Sequence, residues 1–112
     1  MDKWLVIHDD QTYELKEKPE EQSKLEFMQE IVGGYIEVVR NKYLPAYCLV
    51  VDEEGRLKEK MPNLAASVID STGNLILGTV IPCWEEDGEL QPLETLSVQL
   101  TIDTFNLKER DV

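Results

Sequence analysis

One stretch of the chain, residues 23–33, carries a full set of helix signals and limits what the rest can fold into. Ser23 and Glu26 have the spacing of a capping box, in which each side chain hydrogen-bonds a backbone N–H group of the other residue. Apolar residues then recur at helical spacing, and Gly33 suits the left-handed conformation that ends many helices. The pattern predicts one main helix over about residues 21–32.

The other apolar runs are short, bounded by turn-forming sequences, and predict strands. They lie at residues 4–8, 12–16, 35–39, 47–51 and 75–81. A second, short helix is predicted over about residues 63–69, because Asn63 is a favourable N-cap. Strands alternating with one long helix predict an α+β fold with a small, mixed and mainly antiparallel sheet.

The spacing of apolar residues within residues 92–107 is compatible with either a strand or a helix. Leu96, Val98, Leu100 and Ile102 alternate with polar residues, as in a strand that is buried on one face. A helix that placed the leucines on one face would leave Val98, Ile102 and Phe105 on the other. We expect a strand, because one period then explains more residues.

Length and charge exclude several classes of protein. The 112 residues fit a single domain, residues 1–112. A net charge of −12 excludes a general nucleic-acid binder and disfavours docking on anionic membranes. The longest apolar stretch is far shorter than the roughly 20 residues that span a bilayer. With no apolar secretory leader at the N-terminus, we expect a cytoplasmic protein.

The two cysteines, Cys48 and Cys83, both lie inside apolar runs. They form no CxxC or Cys/His cluster, so we expect neither a bound metal nor another cofactor. The favoured interpretation is two small buried hydrophobic residues, with a disulfide between them as the alternative.

Four ordered motifs give the chain a family resemblance. They are Gly33-Gly34-Tyr35-Ile36-Glu37, Val51-Asp52-Glu53-Glu54-Gly55, Pro62-Asn63-Leu64-Ala65-Ala66 and Leu77-Gly78-Thr79-Val80-Ile81. With them the chain resembles the domain of unknown function 3846 family, small proteins of phages, plasmids and conjugative elements. The likeness covers roughly residues 20–82 and leaves residues 85–112 as an acidic C-terminal extension.

The resemblance implies an accessory protein of a mobile element in a bacterial cytosol. It brings no catalytic residue, because no activity is assigned to the family. The family pattern often has a basic residue after the Asn, where this chain has Leu64. Any ligand contact made by that basic residue is then missing here.

Acidic side chains dominate the second half of the chain. Between Met61 and Leu107 there are seven acidic residues and no Lys or Arg. We expect an acidic interaction surface that includes Glu85, Glu86, Asp87 and Glu89. Such a surface would bind a host or element-encoded protein, in the way that a DNA mimic occupies a basic groove. The plainer alternative is that the charge only keeps the protein soluble.

An alternative function is a small-molecule or nucleotide-like binding module. Asn63 and Gly78 lie in segments of short side chains that leave room for a ligand, and Arg56 or Lys58 is the nearest basic residue to contact an anion. Asn63 is also explained as a helix cap alone.

No residue pattern points to catalysis, and we expect a protein that is not an enzyme. The single histidine, His8, ends an apolar run, where pairing with a carboxylate is a sufficient explanation. The aromatic side chains leave two possibilities open, burial in the core or an interface in a homodimer.

Overall fold

The computed structural model describes residues 3–110, which form seven strands and three helices. In chain order the elements are β1 (Trp4–Ile7), β2 (Thr12–Lys16), α1 (Lys24–Val32), β3 (Ile36–Arg40), β4 (Tyr47–Asp52), α2 (Leu64–Asp70), β5 (Ile81–Glu86), β6 (Glu89–Pro92), α3 (Thr95–Phe105) and β7 (Lys108–Glu109). The predicted α+β class, with mainly antiparallel strand pairing, is confirmed.

The strands form two sheets that meet at one point. One sheet has the order β3-β4-β5-β6 and is antiparallel throughout. The other has the order β1-β2-β7, with β1 antiparallel and β7 parallel to β2. Ile7 and Val80 exchange two backbone hydrogen bonds of 2.9 Å, immediately before β5 begins. The end of β1 is therefore joined to the start of β5.

Helices cover both faces of the sheets and create two cores. In β4, Cys48 and Val50 pack in the core that contains the α1 side chains. Leu49 and Val51 pack in the other core, with side chains of α2 and α3. The residues of β1 divide between the two cores in the same alternating way. This arrangement explains why both strands are continuous apolar runs, since each is buried on two faces.

The cysteines are neighbours across two strands. Cys48 lies opposite Cys83 in the register of β4 and β5, and both thiols are free and buried. The prediction that they act as small buried hydrophobic residues is confirmed, and no disulfide joins them. Burial raises the pKa of the Cys83 thiol to about 12, so this side chain stays neutral in its core.

The two predicted helices are present with nearly the expected bounds. Ser23 caps α1 and accepts a hydrogen bond of 3.1 Å from the backbone N–H of Glu26. Gly33 ends α1 with a φ of 91° and donates its N–H to the carbonyl of Gln29. The predicted start near residue 21 is too early, because Ser23 is still extended. α2 begins at Leu64, directly after its cap, Asn63.

The strand predicted within residues 92–107 is wrong, because this segment contains helix α3. Its inner face follows the helical period rather than the alternation, with buried or half-buried side chains at Val98, Thr101, Ile102 and Phe105. Leu96 and Leu100, which complete the alternating pattern, are 70% and 58% exposed. The prediction failed because these two leucines complete an alternating apolar pattern in the sequence although they face solvent.

The strand predicted over residues 75–81 is also wrong for most of its length. Only Ile81 belongs to β5, and the preceding residues form isolated bridges, Leu77 with Pro62 and Val80 with Ile7. Gly78, with a φ of 80°, interrupts the extended backbone between these bridges.

Side chains of the acidic C-terminal extension pack against the rest of the described chain. Leu93, Val98 and Leu107 are buried in the core that includes β4 side chains. β6 and β7 each add an edge strand to a sheet. Residues 111 and 112 of this predicted extension lie outside the described residues.

Val98→Ala and Leu100→Ala distinguish the helix from the strand. In α3, we expect Val98→Ala to lower the free energy of unfolding by about 2 kcal/mol, because it leaves a cavity in the core. Leu100→Ala should change it by less than about 0.5 kcal/mol, because Leu100 faces solvent. Urea denaturation followed by circular dichroism measures both. Equal losses would contradict the helix, since a strand places both side chains on one face.

Candidate functional site

Asn63 is fully buried, and its side chain connects three parts of the fold. Its Nδ2 donates to the carbonyl of Ile7 at 3.0 Å and to the carbonyl of Gly78 at 2.9 Å. Its Oδ1 accepts from the N–H of Ala66 and caps α2, as the sequence predicts. Both amide hydrogens are therefore engaged within the protein. The hydrogen bonds of Asn63 join β1, α2 and the Gly78 segment to one another. A contact between Asn63 and a ligand stays a prediction.

One motif residue, Asp52, forms a second junction with two lysines that lie outside the motifs, and we call Asp52, Lys58 and Lys60 the Asp52 cluster. The Oδ2 atom of Asp52 lies 2.9 Å from the Lys58 ammonium and 2.7 Å from the Lys60 ammonium. Its Oδ1 accepts a hydrogen bond of 2.9 Å from the backbone N–H of Glu54. The Asp52 side chain is only 1% exposed, so the carboxylate is buried with its cations beside it.

The same two lysines bind the C-terminal end of α1. Lys58 donates to the carbonyl of Gly33 at 3.0 Å, and Lys60 donates to the carbonyl of Val32 at 2.6 Å. The last turn of α1 has no basic residue of its own. Because carbonyls at a helix C-terminus lack partners within the helix and carry partial negative charge, cations there are stabilising.

Two glycines of the motifs make room for this cluster. A Cβ atom on Gly34 would lie 2.6 Å from Lys58 Nζ and 3.0 Å from Asp52 Oδ1. A Cβ on Gly78 would lie 2.8 Å from Lys60 Cδ. The neighbour that fills the space beside Gly78 is therefore the Lys60 side chain. Leu64, at the position where the resemblance led us to expect a basic residue, is 62% exposed.

Opposing effects act on the pKa of Asp52. Burial raises this pKa, but hydrogen bonds from Lys58, Lys60 and the Glu54 N–H outweigh burial and lower it to about 2. Asp52 is therefore ionised throughout the physiological pH range. Its single negative charge is shared by the Lys58 and Lys60 ammonium groups.

Arg56 and Asp70 line an open cavity of about 380 Å³, which we call the Asp70 cavity. Its apolar side chains include Val39, Val51 and Ile76. Exposed acidic residues, Glu37 and Glu53, also line it, together with Thr72 and Asn74. Arg56 is exposed and is the one Lys or Arg among the described lining residues. The cavity that Arg56 lines is therefore mainly acidic.

The acidic hairpin formed by β5 and β6 is partly neutralised. Glu85 binds Arg40 through two hydrogen bonds, of 2.7 and 2.9 Å, and this pairing lowers the pKa of Glu85. Glu89 lies 3.3 Å from the Lys24 ammonium. Within residues 3–110, Glu86 and Asp87 have no ion pair. The unpaired charge of the predicted acidic surface is thus concentrated at the turn.

Two adjoining cavities lie beside this hairpin, of about 520 and 360 Å³. They share Glu86, Gln91, Pro92 and Glu94, all exposed or half-buried. We call the larger one the hairpin cavity; it is lined further by Lys3, Leu15, Leu93, Thr95 and Val98. The smaller one reaches Trp84, whose buried Nε1 has no hydrogen-bond partner among the described residues. The surface thus combines apolar side chains with two carboxylates that have no ion pair among the described residues.

His8 connects strands rather than lining a cleft. Its Nε2 lies 2.6 Å from Glu14 Oε2, and its Nδ1 lies 3.0 Å from Thr79 Oγ1. The predicted carboxylate pairing is confirmed, and the partner is Glu14 on β2, not one of the adjacent aspartates. The hydrogen bond to His8 lowers the pKa of Glu14. Both ring nitrogens are therefore engaged.

Residues 3–110 contain no group of three or more His, Cys, Asp or Glu side chains placed to hold a metal ion. No helix within the same residues has the length and apolar character needed to cross a membrane.

Asp70 and Lys60 were not predicted from the sequence, and Lys58 was predicted only as an alternative anion contact, whereas it binds Asp52 and the Gly33 carbonyl. Asp70 ends α2, a position where the helix dipole disfavours an acidic residue, and this conflict was a visible signal. The lysines gave no such signal. They lie in a charged turn, and only the tertiary fold brings them to the end of α1.

Comparison with known proteins gives one match. The model of a family described as domain of unknown function (DUF3846) matches residues 2–106, a longer span than the four motifs cover. No curated protein and no solved structure matches the chain.

Asn63→Ala tests the junction at Asn63. We expect a loss of about 3 kcal/mol in the free energy of unfolding, because the helix loses its cap and the buried Gly78 carbonyl loses its partner. Asn74→Ala, in an exposed turn, is the matched control and should cost less than about 0.5 kcal/mol. Urea denaturation measures both, and similar small losses would show that Asn63 is dispensable.

Asp52→Asn tests the Asp52 cluster through pH. The pKa of Asp52 is about 2 in the folded state, below its ordinary value of 3.8. Ionised Asp52 therefore stabilises the fold above pH 3.8, and this contribution is lost as the pH falls through about 2.

We expect Asp52→Asn to cost about 2 kcal/mol at pH 6, with the cost shrinking towards pH 2. Asp87→Asn, at the exposed hairpin turn, removes the same charge and should cost almost nothing at any pH. Urea denaturation at pH 6, 4, 3 and 2 gives both profiles. A cost for Asp52→Asn that does not change with pH would refute the role of its charge.

Proposed function

The chain belongs to the DUF3846 family, whose description assigns no function, and from this premise we propose that it is a non-enzymatic binding protein that docks a basic segment of a partner protein in the hairpin cavity. In this proposal the partner is encoded by a bacterial host or by the mobile element itself. The complex forms in the cytoplasm.

The observation that carries the proposal is the composition of the hairpin cavity. Leu15, Leu93 and Val98 supply apolar surface, and Leu15 is 42% exposed. Glu86 and Glu94 are exposed acidic residues of the same cavity. A partner segment with an apolar side chain next to a Lys or Arg would complement these apolar and acidic groups of the hairpin cavity.

The volume and charge support one kind of occupant. A cavity of about 520 Å³ is large enough for one or two side chains but not for a folded element. The seven acidic residues between Met61 and Leu107, with no Lys or Arg among them, favour approach by a basic protein. Lys3 also lines the cavity and would repel cations on its side, so the basic residue is expected near Glu86 and Glu94.

The position of the acidic residues distinguishes this proposal from the interpretation that the negative charge only keeps the protein soluble. If charge alone mattered, acidic residues anywhere on the surface would be equivalent. The proposal requires those beside the cavity, and two of the four residues first assigned to the acidic surface, Glu85 and Glu89, already have cation partners.

A random peptide display library tests the proposal without knowledge of the natural partner. We expect the wild-type protein to select peptides with Lys or Arg close to a large apolar residue. Their affinity should fall steeply as salt rises, because the contact is partly electrostatic. Binding should also change the fluorescence of Trp84, which lines the adjoining cavity.

Two triple variants provide the control. Glu86→Gln/Asp87→Asn/Glu94→Gln removes three negative charges at the hairpin and should weaken selected peptides at least tenfold. Glu17→Gln/Glu20→Gln/Glu21→Gln removes the same charge at exposed positions before α1 and should leave binding unchanged. Equal weakening in both variants, or selected peptides without basic residues, would contradict the proposal.

A further inference from the structure

Asp70 is a carboxylate in an unfavourable place. It is 1% exposed and ends α2, where the negative end of the helix dipole opposes an acidic side chain. The Thr72 hydroxyl donates to its Oδ2, but Oδ1 has no hydrogen-bond partner among the described residues. A buried carboxylate oxygen without a partner costs free energy, so its retention calls for a compensating contact.

A ligand in the Asp70 cavity would lie beside this carboxylate, because Asp70 is one of the lining residues. Asp70 lines it with Glu37 and Glu53, while Asp52 is already paired with two lysines. These acidic residues outnumber the one basic lining residue, Arg56. A nucleotide-like anion would meet this excess of negative charge, whereas a cation would be attracted by it.

We propose that the Asp70 cavity binds a small organic cation with a guanidinium head and an aliphatic stem. A guanidinium is planar, weakly hydrated and rich in N–H donors, so it can satisfy a carboxylate in a confined site. The apolar side chains of Val39, Val51 and Ile76 suit the stem. The volume, about 380 Å³, lies within the range of small-ligand sites.

This site is separate from the docking surface proposed above. The Asp70 cavity and the hairpin cavity share no lining residue. It also gives Arg56 a role opposite to that of an anion anchor. Arg56 would repel the cationic head, so its removal should strengthen binding rather than weaken it.

The probe is butylguanidinium, with neutral butylurea as a control of nearly the same shape. In a ¹H–¹⁵N NMR titration of the full chain, butylguanidinium should shift the amides of Glu53, Arg56, Thr72 and Asn74 and reach saturation. Butylurea should cause no saturating shift up to about 10 mM, which corresponds to a very weak complex. Absence of saturating shifts with butylguanidinium over the same range would overturn the proposal.

Variants test the residues. Asp70→Asn should weaken butylguanidinium at least tenfold, while Asp103→Asn, on α3 and outside the cavity lining, should not change it. If Asp70→Asn fails to fold, variants at two exposed positions of the cavity test the proposal instead. Glu53→Gln should weaken binding and Arg56→Gln should strengthen it, each several-fold. The reverse pair of effects would identify an anion site and overturn the proposal.

Two further guanidinium compounds identify the source of the ligand. Agmatine presents the group on a free small molecule, and Nα-acetylargininamide presents it as the side chain of a peptide unit. Tighter binding of agmatine supports a free small cation, and tighter binding of the blocked arginine supports an arginine from a partner chain. Failure of both would contradict recognition of the guanidinium.

Discussion

The hydrogen bonds of one buried amide, that of Asn63, hold the two sheets and a helix in a fixed relation. Its two donor contacts reach Ile7 at the end of β1 and Gly78 before β5, and its oxygen caps α2. The two sheets meet at the Ile7–Val80 bridge, directly beside these contacts. Without the amide, α2 would lose its start and the Gly78 carbonyl would be buried without its partner.

The Asp52 cluster is a second junction, which connects the end of β4 to the end of α1. Gly34 and Gly78 lack side chains where the lysines pass. All four motifs that carry the family resemblance contribute to one of these two junctions. The motifs therefore describe a scaffold. The hairpin cavity contains none of the motif residues, whereas the Asp70 cavity includes several of them, among them Glu37, Val51 and Glu53.

Local signals made much of the fold predictable. The start and end of α1 and the cap of α2 depend on hydrogen bonds within a few residues of each other, which a sequence displays directly. α3 was not predictable in this way, because the exposure of Leu96 and Leu100 is decided by how the helix packs against distant strands. The same contrast between local signals and tertiary contacts applies to the candidate site. Arg56 was identified from its position near a turn, while Asp70 joined it only when the chain folded, across more than ten residues of sequence.

Native-state hydrogen exchange tests the central claim, that the Asn63 junction is an integral part of the folded core. The backbone N–H groups of Ile7, Val80 and Ala66 are bonded at or beside this junction. We expect these amides to exchange only through global unfolding, with the same free energy and the same denaturant dependence as the amides of β4. Exchange of Ile7 and Val80 through a local opening of much lower free energy, while β4 stays protected, would show that the two sheets separate independently and would contradict the account.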